Sequence, residues 1–285
     1  MSAIKSNVMS VDVEDYYQVS AFANSVSTAE WEQHESRVVA NTQRLLKLFS
    51  EKNIKATFFV LGWVAEREPQ LIKEIHDQGH EVASHGFSHQ LIYNQSQEVF
   101  KEETNKSKKL LEDLIGEEVI GYRAASYSIT KRNLWALDIL QEAGFIYDSS
   151  IFPIRHDRYG IADAKTTPHK LTTPNGGELV EFPLTTRRLG KFNIPVAGGG
   201  YFRLYPYFLT RHFLKAVNKK QGEQFVFYLH PWEVDPQQPR IEASWFSKFR
   251  HYNNLDKCEA RLSNLMDDFN FTTMKSVLTE MNLLK

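Results

Sequence analysis

The chain has 285 residues, 42% of them hydrophobic, with a formal net charge of −1 and a pI near 6.8. That is enough for one large domain or two small ones, and α/β barrels often reach this length as one unit; the even charge balance gives no reason to expect nucleic acid as a partner. The lone cysteine, Cys258, excludes an internal disulfide and, set in a helical pattern, reads as a buried structural thiol. No run approaches the roughly 20 apolar residues that cross a bilayer, and Met1 to Ser10 lacks the apolar core of a secretion signal. The expectation is a cytoplasmic protein without a transmembrane segment, placed at most at the inner face of the membrane.

Val8 to Val13 reads as a buried strand that runs into the acids Asp12, Glu14 and Asp15. Val38 to Phe49 carries apolar pairs at helical spacing, and Ile54 to Leu61 is a β-rich run. Pro69 opens a helix with Leu71, Ile72 and Ile75 on one side, and Gly79 closes it. A strand at His80 to Ala83 leads into His85 and His89. The next helix is expected to start near Asn94, with Gln97 as a capping-box partner, and to run to Gly116. Val119 to Tyr122 is a strand ending in Arg123. Thr130 is expected to cap a helix closed by Gly144, and Phe145 to Tyr147 is a strand ending in Asp148. An irregular stretch with Pro153, Pro168, Pro174 and Gly176-Gly177 reads as a surface excursion. Leu179 to Phe182 is a strand. Gly198-Gly199-Gly200 reads as a turn before a helix at about 206–217, since no Lys-Ser/Thr follows to make a phosphate loop. Phe225 to Leu229 is a buried strand ending in His230, Leu255 to Phe269 a helix, and Phe271 to Met274 a last strand, with a short helix after Ser276.

Strands and helices that alternate in this way predict a parallel sheet with helices outside, and roughly eight strands favour a closed or nearly closed barrel. The acids at 12–15, the histidines at 85 and 89, Arg123, Asp148 and His230 all follow the C-terminal ends of different strands, which share one rim in a parallel barrel. His85 and His89, four apart, can meet one ion if they lie on a helical turn. Two histidines with a carboxylate and open positions suit zinc, and other first-row divalent ions also fit. Asp12 and Asp15 fit two tasks, base and ligand; Arg123 can hold the basic carboxylate. His230 can protonate a leaving group, and Asp148 can charge or orient His230. This set describes a metal-assisted hydrolase of an amide or ester.

The same residues, in the same order, resemble the polysaccharide deacetylases of the NodB-homology type, carbohydrate esterase family four. The motifs that carry the resemblance are Asp12-Val13-Glu14-Asp15, His85-Gly86-Phe87-Ser88-His89, Arg123-Ala124-Ala125-Ser126-Tyr127, Asp148 and Leu229-His230. Within that family Tyr147 to Pro153, His156 to Gly160, Gly198 to Arg203 and His230-Pro231-Trp232-Glu233 resemble a subgroup from bacterial exopolysaccharide-biosynthesis (exosortase-associated) loci. The resemblance implies an α/β fold, a deformed (β/α) barrel with roughly seven to eight parallel strands. It implies one catalytic domain over 1–285, with motifs in 8–232 and completion by 241–285. The implied activity is removal of N-acetyl groups from N-acetylhexosamine units of an exopolysaccharide, a surface glycan, or a lipid- or nucleotide-linked precursor. Carried over by order, Asp12 is the base and Asp15, His85 and His89 hold the metal; strand alternation makes Glu14 the alternative to Asp15, and a turn after Val13 favours Asp15. Tyr127 is expected to help hold the oxyanion, and His156, Tyr201, Arg203 and Trp232 to contact sugar. Gly86 and Ala125 stand where the family has a hydroxyl residue and a proline. The alternatives are a non-catalytic carbohydrate-binding member of the fold, or a deformylase-like hydrolase of small amides; the oligomeric state is left open.

Overall fold

The first strand, β1 (Asn7–Val13), is buried along its whole length, as its near-continuous apolar run requires of a strand covered on both faces. The computed structural model describes residues 6–156, 158–190 and 192–284. In chain order β1 is followed by α1 (Val38–Glu51), β2 (Thr57–Val60), α2 (Gly62–Arg67), α3 (Pro69–Asp77), β3 (Glu81–Ser84), α4 (Gln97–Ile115), β4 (Gly121–Tyr122), α5 (Trp135–Glu142) and β5 (Tyr147–Asp148). Then come β6 (His169–Thr172), β7 (Glu178–Glu181), β8 (Thr186–Leu189), β9 (Phe192–Pro195), α6 (Gly199–Leu204), α7 (Tyr207–Ala216), β10 (Val226–Leu229), α8 (Trp245–Tyr252), α9 (Leu255–Asp268), β11 (Phe271–Thr272) and α10 (Met274–Glu280).

The main sheet runs β10-β1-β2-β3-β4-β5-β7-β6, with β11 beside the start of β1. Every ladder is parallel except that of the edge strand β6 on β7. The expected α/β architecture is present as a curled, parallel half-barrel, and no ladder joins β10 to β6 among the described residues. The register places Val13, Val60 and Ser84 side by side, and Tyr122 beside Ser84. The residues that follow these strands therefore emerge at one rim.

Local chemistry moved several boundaries. Ser96, not Asn94, caps α4, its side chain accepting from Val99 N–H. Thr130 is held in a turn instead of a cap, because Asn133 Oδ1 accepts from both its N–H and its hydroxyl, and α5 begins only at Trp135. The helix placed after Ser276 starts earlier, at Met274, on the cap Thr273. Within the stretch read as irregular, β6 forms as an antiparallel edge strand. Gly199-Gly200 are helical, in α6, so the triple glycine is more than a turn. Gly198 explains why glycine is needed: its φ is +130°, and a Cβ there would collide with the Tyr228 carbonyl, against which the chain forms a parallel bridge. Gly198→Ala is expected to lower stability by roughly 1–3 kcal/mol, read as a fall in the urea midpoint with the slope unchanged.

Candidate metal centre and active site

Arg123, fully buried just past β4, builds the floor of the site. Its Nη1 donates to Asp12 Oδ1 at 2.7 Å and to Ser10 Oγ at 2.9 Å. Nη2 and Nε donate to the hydroxyl and carbonyl of Ser149. The guanidinium thus fixes one oxygen of Asp12, while Oδ2 lies 3.9 Å from His230 Nε2. The Arg123 carbonyl, in turn, meets His85 Nδ1 at 2.8 Å. That contact assigns the proton to Nδ1 and leaves the Nε2 lone pair available for a ligand. Burial pushes the His85 pKa down to about 4, which keeps the ring neutral.

Glu14, His85 and His89 bring one carboxylate oxygen and two ring nitrogens within 4.8 Å of one another. Glu14 Oε2 and His89 Nε2 approach to 2.7 Å. Beyond that contact Oε2 is buried without a hydrogen-bond partner. An orphaned buried oxygen beside two nitrogens is what a third body, a divalent cation, would satisfy, and two histidines with a carboxylate form a recognised donor set for one. Burial opposes the charge of Glu14, yet His89, then His230 and His85, outweigh it and hold its pKa at about 2. Trp232 Nε1 donates to Glu14 Oε1 at 3.4 Å and steadies the carboxylate.

The preference for Asp15 as ligand is corrected by this geometry. A turn does follow Val13, with Glu14 N–H on the Asp12 carbonyl at 3.0 Å, but it swings Glu14 inward and Asp15 away. Asp15 Oδ2 accepts from Ser36 Oγ and from the backbone N–H groups of Arg37 and Val38, at the start of α1. Its carboxylate is a helix-terminus anchor. The histidine pair is likewise not on a helical turn. His89 has φ +54°, in a loop that reverses the chain onto the same point. Gly86, with φ +75°, starts that reversal, which accounts for glycine where the family has a hydroxyl residue. The hydroxyls of Ser84 and Ser107 hold the Gly86 N–H and carbonyl in its place.

Asp148 does not reach His230. The acid on His230 Nδ1 is Glu233, at 2.8 Å, which also accepts from His230 N–H. Glu233 is itself buried and paired with Nε of Arg203 at 2.6 Å. Burial resists a charge on His230, but the Glu233 hydrogen bond and the Glu14 and Asp12 carboxylates push its pKa up to about 9. His230 keeps 18% of its side chain exposed, whereas Asp12 and Glu14 keep 3% or less, and its Nε2 is turned to both carboxylates, 3.6 Å from Glu14 Oε1 and 3.9 Å from Asp12 Oδ2. Arg203 is corrected from sugar contact to a buried clamp: besides Glu233 it binds the carbonyls of Arg250, His251 and Asn253. Trp232 is also buried, stacked between His230 and His251 at 5.0 and 4.0 Å. The Tyr127 N–H is taken by the Ala124 carbonyl at 3.0 Å, so that amide is not turned to an oxyanion. Its ring packs over the Arg123 guanidinium, with the centroid at 5.9 Å.

His156 stacks on Tyr159 at 3.8 Å, and both line a cleft of about 710 Å³ that shares Gln95 with the hollow at His85 and His89. Tyr201 reaches Tyr159 at the edge of this cleft. Asp157, in the subgroup-like stretch 156–160, lies outside the described residues, as do Met1 to Lys5 of the N-terminal segment. Glu233 went unnoticed as a functional residue although its signal was present: three residues after His230 it completes a capping box across Pro231-Trp232.

Asp148 has a different partner. It lies beside Glu181 on neighbouring strands. Burial raises both pKa values, Asp148 to about 6 and Glu181 well above the ordinary carboxylate value.

Residues 33–146 match the family model for polysaccharide deacetylase, and 149–279 match a domain of unknown function (DUF3473). A peptidoglycan deacetylase of Helicobacter pylori is 34% identical over 108 residues, which cover 38% of this chain and 36% of that protein. The match spans about a third of that relative's length. Two solved structures superpose on almost the whole chain. One, from Mycobacterium smegmatis and assigned to the polysaccharide deacetylases, has TM-score 0.61 and 18% identity, covering 99% of this chain and 93% of its own. The other, the Puue allantoinase, has TM-score 0.61 and 15% identity, covering 95% and 87%. At these identities the likeness is one of fold. Residues 33–146 are thus similar to a polysaccharide deacetylase domain, and the curled parallel half-barrel is the fold of both solved structures.

Two outcomes are expected. Glu14→Gln should abolish stoichiometric zinc binding measured by calorimetry, while Asp15→Asn should keep it and lower the thermal midpoint by the equivalent of about 1 kcal/mol. The Asp148–Glu181 pair sets a pH dependence. Both folded pKa values are raised, so the native state holds more protons than the unfolded chain from about pH 4 upward, and stability is lost as pH rises through about 6. Glu181→Gln mimics the protonated acid. Its stability advantage over wild type in urea titrations should therefore grow between pH 4 and pH 7, by on the order of 1 kcal/mol.

Proposed function

We propose that this chain is a metal-dependent carbohydrate N-deacetylase that removes acetyl groups from N-acetylhexosamine units of a bacterial exopolysaccharide, surface glycan or precursor. The observation that carries the reading is the arrangement of Asp12 and His230 beside the Glu14–His85–His89 cluster. A base and an acid there face one reacting centre. Relatives named as deacetylases support the reaction class. The donor set of two imidazoles and a carboxylate favours zinc, with other first-row divalent ions also suited. A bound ion would polarise the amide carbonyl and make water more acidic.

The remaining chemistry falls to the chain's own side chains. Asp12, with one oxygen held by Arg123, uses the other to take the proton of the attacking water. The water oxygen bonds to the acetyl carbon, and the carbon–nitrogen bond breaks. His230 gives its Nε2 proton to the departing amine, and Glu233 on Nδ1 holds the ring in the protonated form until then. Acetate and a free amino sugar result. The cleft bordered by His156, Tyr159 and Tyr201 is the proposed path of the glycan, its rings offering faces for sugar to pack on. The acid and Arg203 of the second matched stretch complete a site begun by the first, which supports 1–285 acting as one catalytic unit.

The test is acetate release from N-acetylated chitooligosaccharides and from N-acetylated polysaccharide. Metal-loaded protein should release acetate, a chelator should stop it, and Asp12→Asn or His230→Ala should lower kcat by about 10²–10⁴-fold. A loaded wild-type protein that releases no acetate from either, and does not differ from Asp12→Asn, overturns the reading.

A further inference from the structure

We propose that the exposed aromatic face of α8 docks the mouth of the candidate site on an anionic phospholipid surface. The inference stands independently of the proposed reaction. Trp245, Phe246 and Phe249 are 75, 60 and 42% exposed. At positions i, i+1 and i+4 of an eight-residue helix they share one face. The Trp245 and Phe249 rings lie 5.5 Å apart at 13°, so the face is a continuous plate. Large apolar side chains exposed singly are ordinary, but a contiguous group marks a contact surface.

Two observations select the occupant. The first is charge. Lys248 and Arg250 flank the plate on the same helix, and Arg240 lies over Tyr252 at its end. Among the described residues the acid that pairs with them is Glu242, in an exposed ion pair with Lys248 at 3.2 Å, a contact that contributes little. A local basic excess in a chain of net charge −1 complements anionic headgroups. Aromatic rings bordered by Lys and Arg are the composition of a helix lying at a lipid interface. A sugar platform would pair its rings with carboxylate or amide hydrogen-bonding groups. The polar side chains of this segment are Ser244, Ser247, Lys248 and Arg250, with the carboxylate of Glu242 taken up by Lys248, and Phe246 and Phe249 have no polar atom to offer a hydroxyl-rich ligand.

The second is mounting. His251, on the same helix, is buried and stacks on Trp232, which stacks on His230. Phe22 packs on the other side of His251 at 4.7 Å. Arg203 grips the carbonyls of Arg250 and His251, and Arg250 reaches Tyr159 in the cleft. The helix is therefore fixed to the rim that carries His230 while its aromatic face looks outward. A surface held by that face would be presented next to the cleft.

The full chain should co-sediment with phosphatidylcholine–phosphatidylglycerol vesicles more than with pure phosphatidylcholine vesicles, and added salt should weaken the binding. The double variant Trp245→Ser/Phe249→Ser should bind the mixed vesicles at least about tenfold more weakly, and Lys248→Glu should weaken binding to them alone. An unchanged thermal midpoint confirms that the variants fold. The Trp245 emission, taken as wild type minus Trp245→Phe, should shift to the blue with vesicles. Failure of the wild type to sediment with mixed vesicles, or sedimentation of the double variant like wild type, overturns the proposal. So does a Trp245 signal that responds to a soluble chitooligosaccharide and not to vesicles.

Discussion

The buried guanidinium of Arg123 is the interaction on which the candidate site depends. Taking such a charge out of water costs several kcal/mol unless every donor finds a partner. Here the partners are Asp12 and Ser10 from β1 and Ser149 from just past β5. The backbone of the same residue joins the set, since its N–H donates to Ser84 and its carbonyl holds His85. One residue thus ties four strand ends together and, in doing so, orients the carboxylate proposed as base and one imidazole proposed as ligand. Loss of the charge would leave the buried carboxylate of Asp12 unpaired, while the His85 tautomer depends on the backbone carbonyl of the same residue.

Two neighbouring acids illustrate how a single turn divides labour. Glu14 and Asp15 differ by one position and one methylene, yet one points to the histidines and the other to the start of α1. The turn that follows Val13 brings Glu14 N–H back to the Asp12 carbonyl, and the longer side chain of Glu14 then reaches His89. Asp15 is short and sits where three donors converge, two of them backbone N–H groups at the start of α1. That helix needs an anion there, since its first N–H groups have no partner within the helix. The carboxylate that secures α1 is thereby unavailable for the cluster.

Much of this was legible from the order of residues. Strand cores with continuous apolar runs, such as Phe225 to Leu229, announce themselves, and so do the polar residues that end them. The rim followed from alternation alone. What stayed hidden depends on directions that sequence does not carry. The αL conformations at Gly86 and His89 turn an apparent helical pair into a loop pair. Short strands such as β6 and β9 have little period to read. Arg203 and Trp232 lie close to polar motifs in sequence but are claimed by the interior, because a buried Glu233 needs a cation and His230 needs a wall. Thr130 carries the composition of a cap, but Asn133 takes its donors first.

The placement of the acid behind His230 follows from the same competition. An acid at the end of β5 sits across the sheet from β10 and beside β7, where Glu181 is its neighbour. Two carboxyls so close and so dry share a proton instead of both ionising. Asp148 is thereby occupied with Glu181. Glu233, one helical turn from His230, needs no tertiary approach: the capping box delivers it to both the ring and the backbone N–H of the same histidine. Its charge is then balanced by Arg203, which clamps the carbonyls at the end of α8. His230 is in this way tied to a helix at the surface, and the chain from its Nδ1 through Glu233 and Arg203 to the Arg250 carbonyl is continuous in hydrogen bonds.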